Sequence, residues 1–118
     1  MKRMIYVILL AAAVSGCYSV ETLRAFAPLH KSILQGAPRD IAYCFQTDKS
    51  YGPDEPVTIW GKDDGSVVNM RLAPHGVLLW EATLTQAGEE TDFEMRAIPN
   101  RKRTAGKAIA LIESCGQG

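Results

Sequence analysis

The sequence predicts an α+β domain: a four-stranded antiparallel meander flanked by an N-terminal and a C-terminal helix, in the order α-β-β-β-β-α. Three observations carry that expectation. Residues 57–98 alternate apolar and polar side chains in four runs separated by turn residues, the period of half-buried strands. Around Ile41 and around Ile112 apolar residues instead recur at spacings of three and four, the period of a helix face. The chain is 47% hydrophobic and has no low-complexity tract, so it can form a packed core.

The N-terminus has a different character. Lys2 and Arg3 give a positive start, Met4 to Val14 carry no charge, and the small residues Ser15 and Gly16 precede Cys17. That is the layout of a secretory signal. The apolar run is too short for a bilayer span of about 20 residues. Val14-Ser15-Gly16-Cys17 resembles the lipobox of bacterial lipoprotein precursors. The resemblance implies a diacylglyceryl group on the Cys17 sulfur, cleavage between Gly16 and Cys17, and acylation of the new amine. Two or more acyl chains make a firm anchor. Tyr18 stands where an aspartate retains enteric lipoproteins in the inner membrane, so the resemblance implies the outer membrane. An ordinary cleaved signal, or a short buried helix with a free Cys17, is the alternative. The implied organisation is a signal peptide over residues 1–16, a lipidated N-terminus and tether over 17–36, and a small α+β domain over 37–118.

Cleavage there leaves 102 residues with a net charge of −2. That suffices for one small domain. The absence of a basic excess disfavours nucleic-acid binding. With Cys17 lipidated, Cys44 and Cys115 remain, in an oxidising compartment where two cysteines pair. A metal pair or a redox pair is the alternative, but the two lack four-ligand zinc spacing and a Cys-x-x-Cys arrangement. The expectation is a disulfide joining the two helices and stabilising the domain by roughly 4 kcal/mol.

Tyr18 to Gln35 reads as a spacer or weak helix, with Val20, Leu23, Ala27, His30 and Leu34 at helical spacings and Pro28 interrupting them. Pro38 to Thr47 reads as a helix: Pro38 suits its first position, Asp40 its first turn, and Ile41, Cys44 and Phe45 share a face. Asp48 to Pro56 is a loop whose Asp48, Asp54 and Glu55 are either solvated or, less simply, a cation site. The strands are Val57 to Gly61, Ser66 to Leu72, Val77 to Thr85 and Thr91 to Ile98. Asp64-Gly65 marks the first hairpin. Ala105 to Cys115 reads as the closing helix with Gly116 as its stop; a fifth strand over Ala108 to Ile112 is the alternative.

Pro38, Ile41, Ala42, Cys44 and finally Cys115 also resemble a pattern in small envelope lipoproteins of proteobacteria, some encoded by phages. In that group a lipobox, a Pro-x-x-hydrophobic-Ala-x-Cys helix, a meandering sheet and a late cysteine occur together. The group has no settled activity, so the resemblance implies architecture and address alone.

No catalytic constellation stands out, and neither an enzyme activity nor a cofactor or metal is expected. His30 and His75 are the only neutral-pH acid–base candidates, and neither sits in a nucleophile motif. Trp60 has the opposite parity to Val57 and Ile59, which puts it either on the outer face as an interface candidate or beneath the tether helix. Arg101, Lys102 and Arg103 are a solvated turn or a contact for phosphate head groups or an acidic partner. The function expected is that of a non-catalytic, membrane-anchored lipoprotein facing the periplasm and binding an envelope protein or cell-wall component. An inhibitor or exclusion factor against a periplasmic hydrolase or surface receptor is the alternative. The intact mass of membrane-extracted protein should be that of acylated Cys17 onwards, two hydrogens lighter before reduction; an uncleaved chain with free thiols would refute the N-terminal reading.

Overall fold

The computed structural model describes residues 20–48 and 57–117. The signal peptide, Cys17, Asp54, Glu55 and the side chain of His75 lie outside the described residues. The helices are α1 (Val20–Ala25), α2 (Pro38–Thr47) and α3 (Lys102–Cys115). The strands are β1 (His30–Gln35), β2 (Val57–Gly61), β3 (Val67–Leu72), β4 (Trp80–Ala87) and β5 (Glu90–Ala97). Short 3₁₀ turns occupy Pro74–Gly76 and Pro99–Arg101.

All five strands join one antiparallel sheet in the order β1-β5-β4-β3-β2. The expected four-stranded meander with two flanking helices is therefore corrected to five strands and three helices. The difference lies in residues 20–35, expected as a spacer or weak helix; the helix forms over Val20–Ala25 and a strand follows it. Pro28 interrupts the helical pattern, α1 ends at Ala25, and His30–Gln35 adds to the edge of β5, with His30 opposite Met95 and Gln35 opposite Glu90. The sequence hides this strand because its alternation is inverted. Ser32 and Leu34 point inward while Ile33 points out, 63% exposed. Pairing with β5, not intrinsic preference, makes it a strand.

The sheet's inner face is the core. Val68, Met70 and Leu72 from β3, Trp80, Ala82 and Leu84 from β4, and Phe93 and Met95 from β5 are all buried. They are cross-strand neighbours, such as Leu72 with Trp80 and Leu84 with Phe93. Helices α2 and α3 cover this face. Ile41, Ala42 and Phe45 of α2 and Ala105, Ala108 and Ile112 of α3 complete the same cluster. Phe45 meets Trp80 edge to face, ring centroids 6.1 Å apart, a favoured aromatic geometry. Residues 108–112 are helical, so the alternative fifth strand at that position is not formed. A smaller cluster of Leu23, Leu78 and Ile98 seats α1 on the domain.

The antiparallel order gives the sheet two distinct ends. One carries Gly36, the β2–β3 turn and the β4–β5 turn. The other carries the α1–β1 connection and residues 73–79 and 98–101. In the β2–β3 turn Gly65 takes φ +78°, and Asp64 accepts hydrogen bonds from the Ser66 N–H and hydroxyl at 2.9 and 2.7 Å. Those bonds hold the Asp64 carboxyl below its ordinary range.

Three contacts fasten the C-terminal end of α3. A disulfide joins Cys44, within α2, to Cys115, the last residue of α3, with Cα atoms 5.8 Å apart. It thus ties one helix to the end of the chain, not two helices along their lengths. Closing its 71-residue separation stabilises by about 4 kcal/mol on the chain-entropy account. The Gln35 N–H donates to the Gly116 carbonyl at 2.8 Å. Gly116 itself lies flat on Leu34: a Cβ there would meet the Leu34 Cβ at 2.6 Å. Gly106, inside α3, has nothing within 4 Å of the same position. The two glycines should therefore respond in opposite directions. Gly116→Ala should lower stability by about 1–3 kcal/mol, and Gly106→Ala should raise it by about 0.5–1 kcal/mol, both measured by urea denaturation of the oxidised protein.

Candidate interaction surface

The sheet's outer face carries the charge. Across it Thr58, Arg71, Glu81 and Arg96 occupy one row of cross-strand neighbours. The sequence places Glu81 on a wet face, yet it is only 2% exposed. Its cover is α1. The Arg24 guanidinium donates through Nε to one Glu81 oxygen at 2.9 Å and through Nη2 to the other at 3.0 Å. A planar fork on a carboxylate is the strongest form of this pair. Hydrogen bonding to Glu81 raises the Arg24 pKa further above its already high value. Arg71 adds a third charge, its Nη2 4.0 Å from the same carboxylate. Arg96 pairs with Glu94 at 2.9 Å and donates to the Phe26 carbonyl just past α1 at 3.2 Å.

Trp60 lies on this outer face, half-buried, with the Arg71 guanidinium carbon 4.3 Å from its ring centre. That distance suits a cation–π contact. Its cover is thus an arginine of the neighbouring strand. Trp60 sits on β2, the sheet edge among the described residues, and also lines a shallow groove between α2 and the β2–β3 turn. The other walls of that groove include Arg39, Tyr43, Gln46, Lys62 and Asp63. Tyr43 is 69% exposed. Arg39 bridges the groove's end, donating to the Asp63 carbonyl and resting against Gly65. Trp60 was legible as a candidate from its parity. Tyr43 and Arg39 were not, because the helix–hairpin contact that unites them is long-range.

Arg101, Lys102 and Arg103 are exposed and straddle the start of α3. They are far from Trp60 in the fold, at the end of the sheet where α1 attaches. No side-chain hydrogen bond or carboxylate engages their charged groups among the described residues.

Of the two acid–base candidates, His30 is engaged in a structural contact. His30 Nε2 lies 2.8 Å from a Glu113 oxygen, linking β1 to α3, and its ring tilts against Phe93 at 5.7 Å. His30 is therefore a boundary residue with a carboxylate partner. That hydrogen bond holds the Glu113 carboxyl below its ordinary range. His75 lies in the 3₁₀ turn Pro74–Gly76. Among the described residues no three His, Cys, Asp or Glu side chains are grouped to hold a metal ion, and no helix is long and apolar enough to cross a membrane.

Residues 1–17 match the family model for the prokaryotic membrane lipoprotein lipid attachment site. The match ends on Cys17. No curated protein and no solved structure matches the chain.

Two substitutions check the electrostatics. Arg24→Ala removes both hydrogen bonds from the buried Glu81 carboxylate; because the arginine itself is half exposed, the cost should be about 1–2 kcal/mol, below that of breaking a fully buried pair. Glu113→Gln should cost about 0.5 kcal/mol at neutral pH, since its pair is partly solvated. The folded Glu113 carboxyl titrates below the unfolded one. Its contribution is therefore complete above the usual carboxylate range and lost as pH falls through the depressed value. The gap between wild type and Glu113→Gln should close over that acidic window in pH-dependent melts.

Proposed function

We propose that this membrane-anchored bacterial lipoprotein is a non-catalytic component of the outer membrane, facing the periplasm, that binds another envelope component through the groove around Trp60. The observation that carries the reading is the grouping of Trp60, Tyr43 and Arg39 beside β2, the sheet edge among the described residues. Aromatic residues and arginine dominate binding energy at protein interfaces, and here Trp60, Tyr43 and Arg39 line one open groove, with Tyr43 69% exposed. The lipid attachment site supports membrane anchoring. Tyr18 after the lipidated cysteine supports the outer membrane. Commitment of Glu81 to Arg24, and of His30 to Glu113, supports a role without acid–base chemistry.

The test is site-specific photocrosslinking in intact cells. A photoreactive amino acid at Tyr43 should yield a discrete adduct with one envelope protein or with peptidoglycan. The same label at Lys31, on the opposite sheet edge, should yield none. Adding Trp60→Ala should reduce the Tyr43 adduct at least about tenfold, the loss of an interface anchor of about 1.4 kcal/mol or more, while the protein keeps a cooperative melt. A captured hydrolase would make the same groove an inhibitory surface. Monomer alone at Tyr43 would count against the groove as a binding site.

A further inference from the structure

We infer that the end of the domain bearing α1 rests on the membrane, with Arg101, Lys102 and Arg103 against anionic phospholipid headgroups. The inference rests on the lipid anchor at Cys17, and three observations carry it.

The first is reach. Cys17 and Val20 are separated by three peptide units, which span at most about 11 Å however they are arranged. Val20 begins α1, and α1 is not a loose leader. Leu23 is fully buried against Leu78 and Ile98, and Arg24 clamps Glu81. The bilayer is thus brought to within roughly one helix diameter of α1's first turn. No long spacer holds the domain away from the lipid.

The second is placement. The end that carries α1 also carries residues 73–79 and 98–101. Ile98, packed on Leu23, is followed at once by the basic run, and the Arg101 N–H bonds back to the Ile98 carbonyl. Lys102 shares a surface depression with Phe26, Pro28 and Leu29 of the α1–β1 connection. Val77 and Leu29 on this same end are exposed, by 56% and 37%. Cations beside exposed apolar side chains match a headgroup boundary.

The third is the cost to the folded domain. Three cations crowd the first turn of α3, the positive end of its dipole, and α3 has no side-chain cap and no acidic residue in that turn. Each cation there is unfavourable by a few tenths of a kcal/mol to the isolated helix. An anionic surface reverses that sign, whereas solvent does not.

The test uses the lipidated protein as it exists, in detergent and in vesicles of phosphatidylcholine with or without phosphatidylglycerol. Lysine acetylation rates are read by peptide mass spectrometry. Lys102 reports on the proposed face. Lys62, in the β2–β3 turn at the far end of the sheet, is the internal reference. Lys102 should label roughly fivefold more slowly than in detergent when phosphatidylglycerol is present, with Lys62 unchanged. Raising the salt towards 1 M, where the Debye length is about 3 Å, should abolish the protection, as should Arg101→Glu/Arg103→Glu. Equal protection in neutral vesicles would overturn the charge argument. No protection in either vesicle would overturn the proposal and leave the basic run to a protein partner. Co-sedimentation of the same samples reports the anchor separately: protein that fails to pellet with vesicles lacks the lipid, whatever the labelling shows.

Discussion

Glu81 is held almost dry between the sheet and the first helix, and the seating of α1 on the sheet depends on it. A carboxylate at that depth is tolerable only with its charge matched. Arg24 supplies the match from α1, Arg71 from the next strand. The pair converts a six-residue helix, too short to be stable alone, into a fixed part of the domain. A hydrophobic contact in its place would hold α1 as firmly but would not fix its rotation as well as a two-pronged hydrogen bond does.

The opposite closure is made at the other terminus. The disulfide, the His30–Glu113 bond and the Gly116–Leu34 contact all act on the last turn of α3 or just beyond it. They share a geometric role. Among the described residues β1 pairs with β5 alone; the His30 and Leu34 contacts supply its second set of neighbours, and the disulfide holds the end of α3 that makes them. The sheet thereby gains a fifth strand whose own sequence argues weakly for one.

Helix α2 and strand β2 were legible to the residue, because local signals agree with tertiary ones there. Pro38 starts the helix where its missing N–H costs nothing, and Val57 and Ile59 alternate with Thr58 and Trp60. Inward parity was legible on β3, β4 and β5 for the same reason. β1 was not, since Ser32 faces in and Ile33 faces out. The apolar alternation places the start of β4 at Val77, whereas ladder pairing begins at Trp80. Glu81 was legible as outward-facing and invisible as buried: its cover arrives from Arg24, 57 residues earlier. The groove around Trp60 was half legible. Strand parity identifies the tryptophan, but Tyr43 and Arg39 join it only through the packing of a helix on a hairpin. The N-terminal attachment signal is local in sequence and was readable without any fold.

The pairing of β1 with β5 has a consequence for how the protein matures. β2 to β5 are joined by short turns and can zip as successive hairpins soon after they emerge. β1 cannot join them, because its partners are residues 90–95 and its seal is Gly116. A chain delivered across a membrane from its N-terminus must therefore hold its first strand unpaired until nearly all of it has crossed. High contact order of this kind slows folding, which suits a polypeptide that has to stay threadable during export. The first strand can therefore be paired only once residues 90–95 have followed it across, and sealed only once Gly116 has.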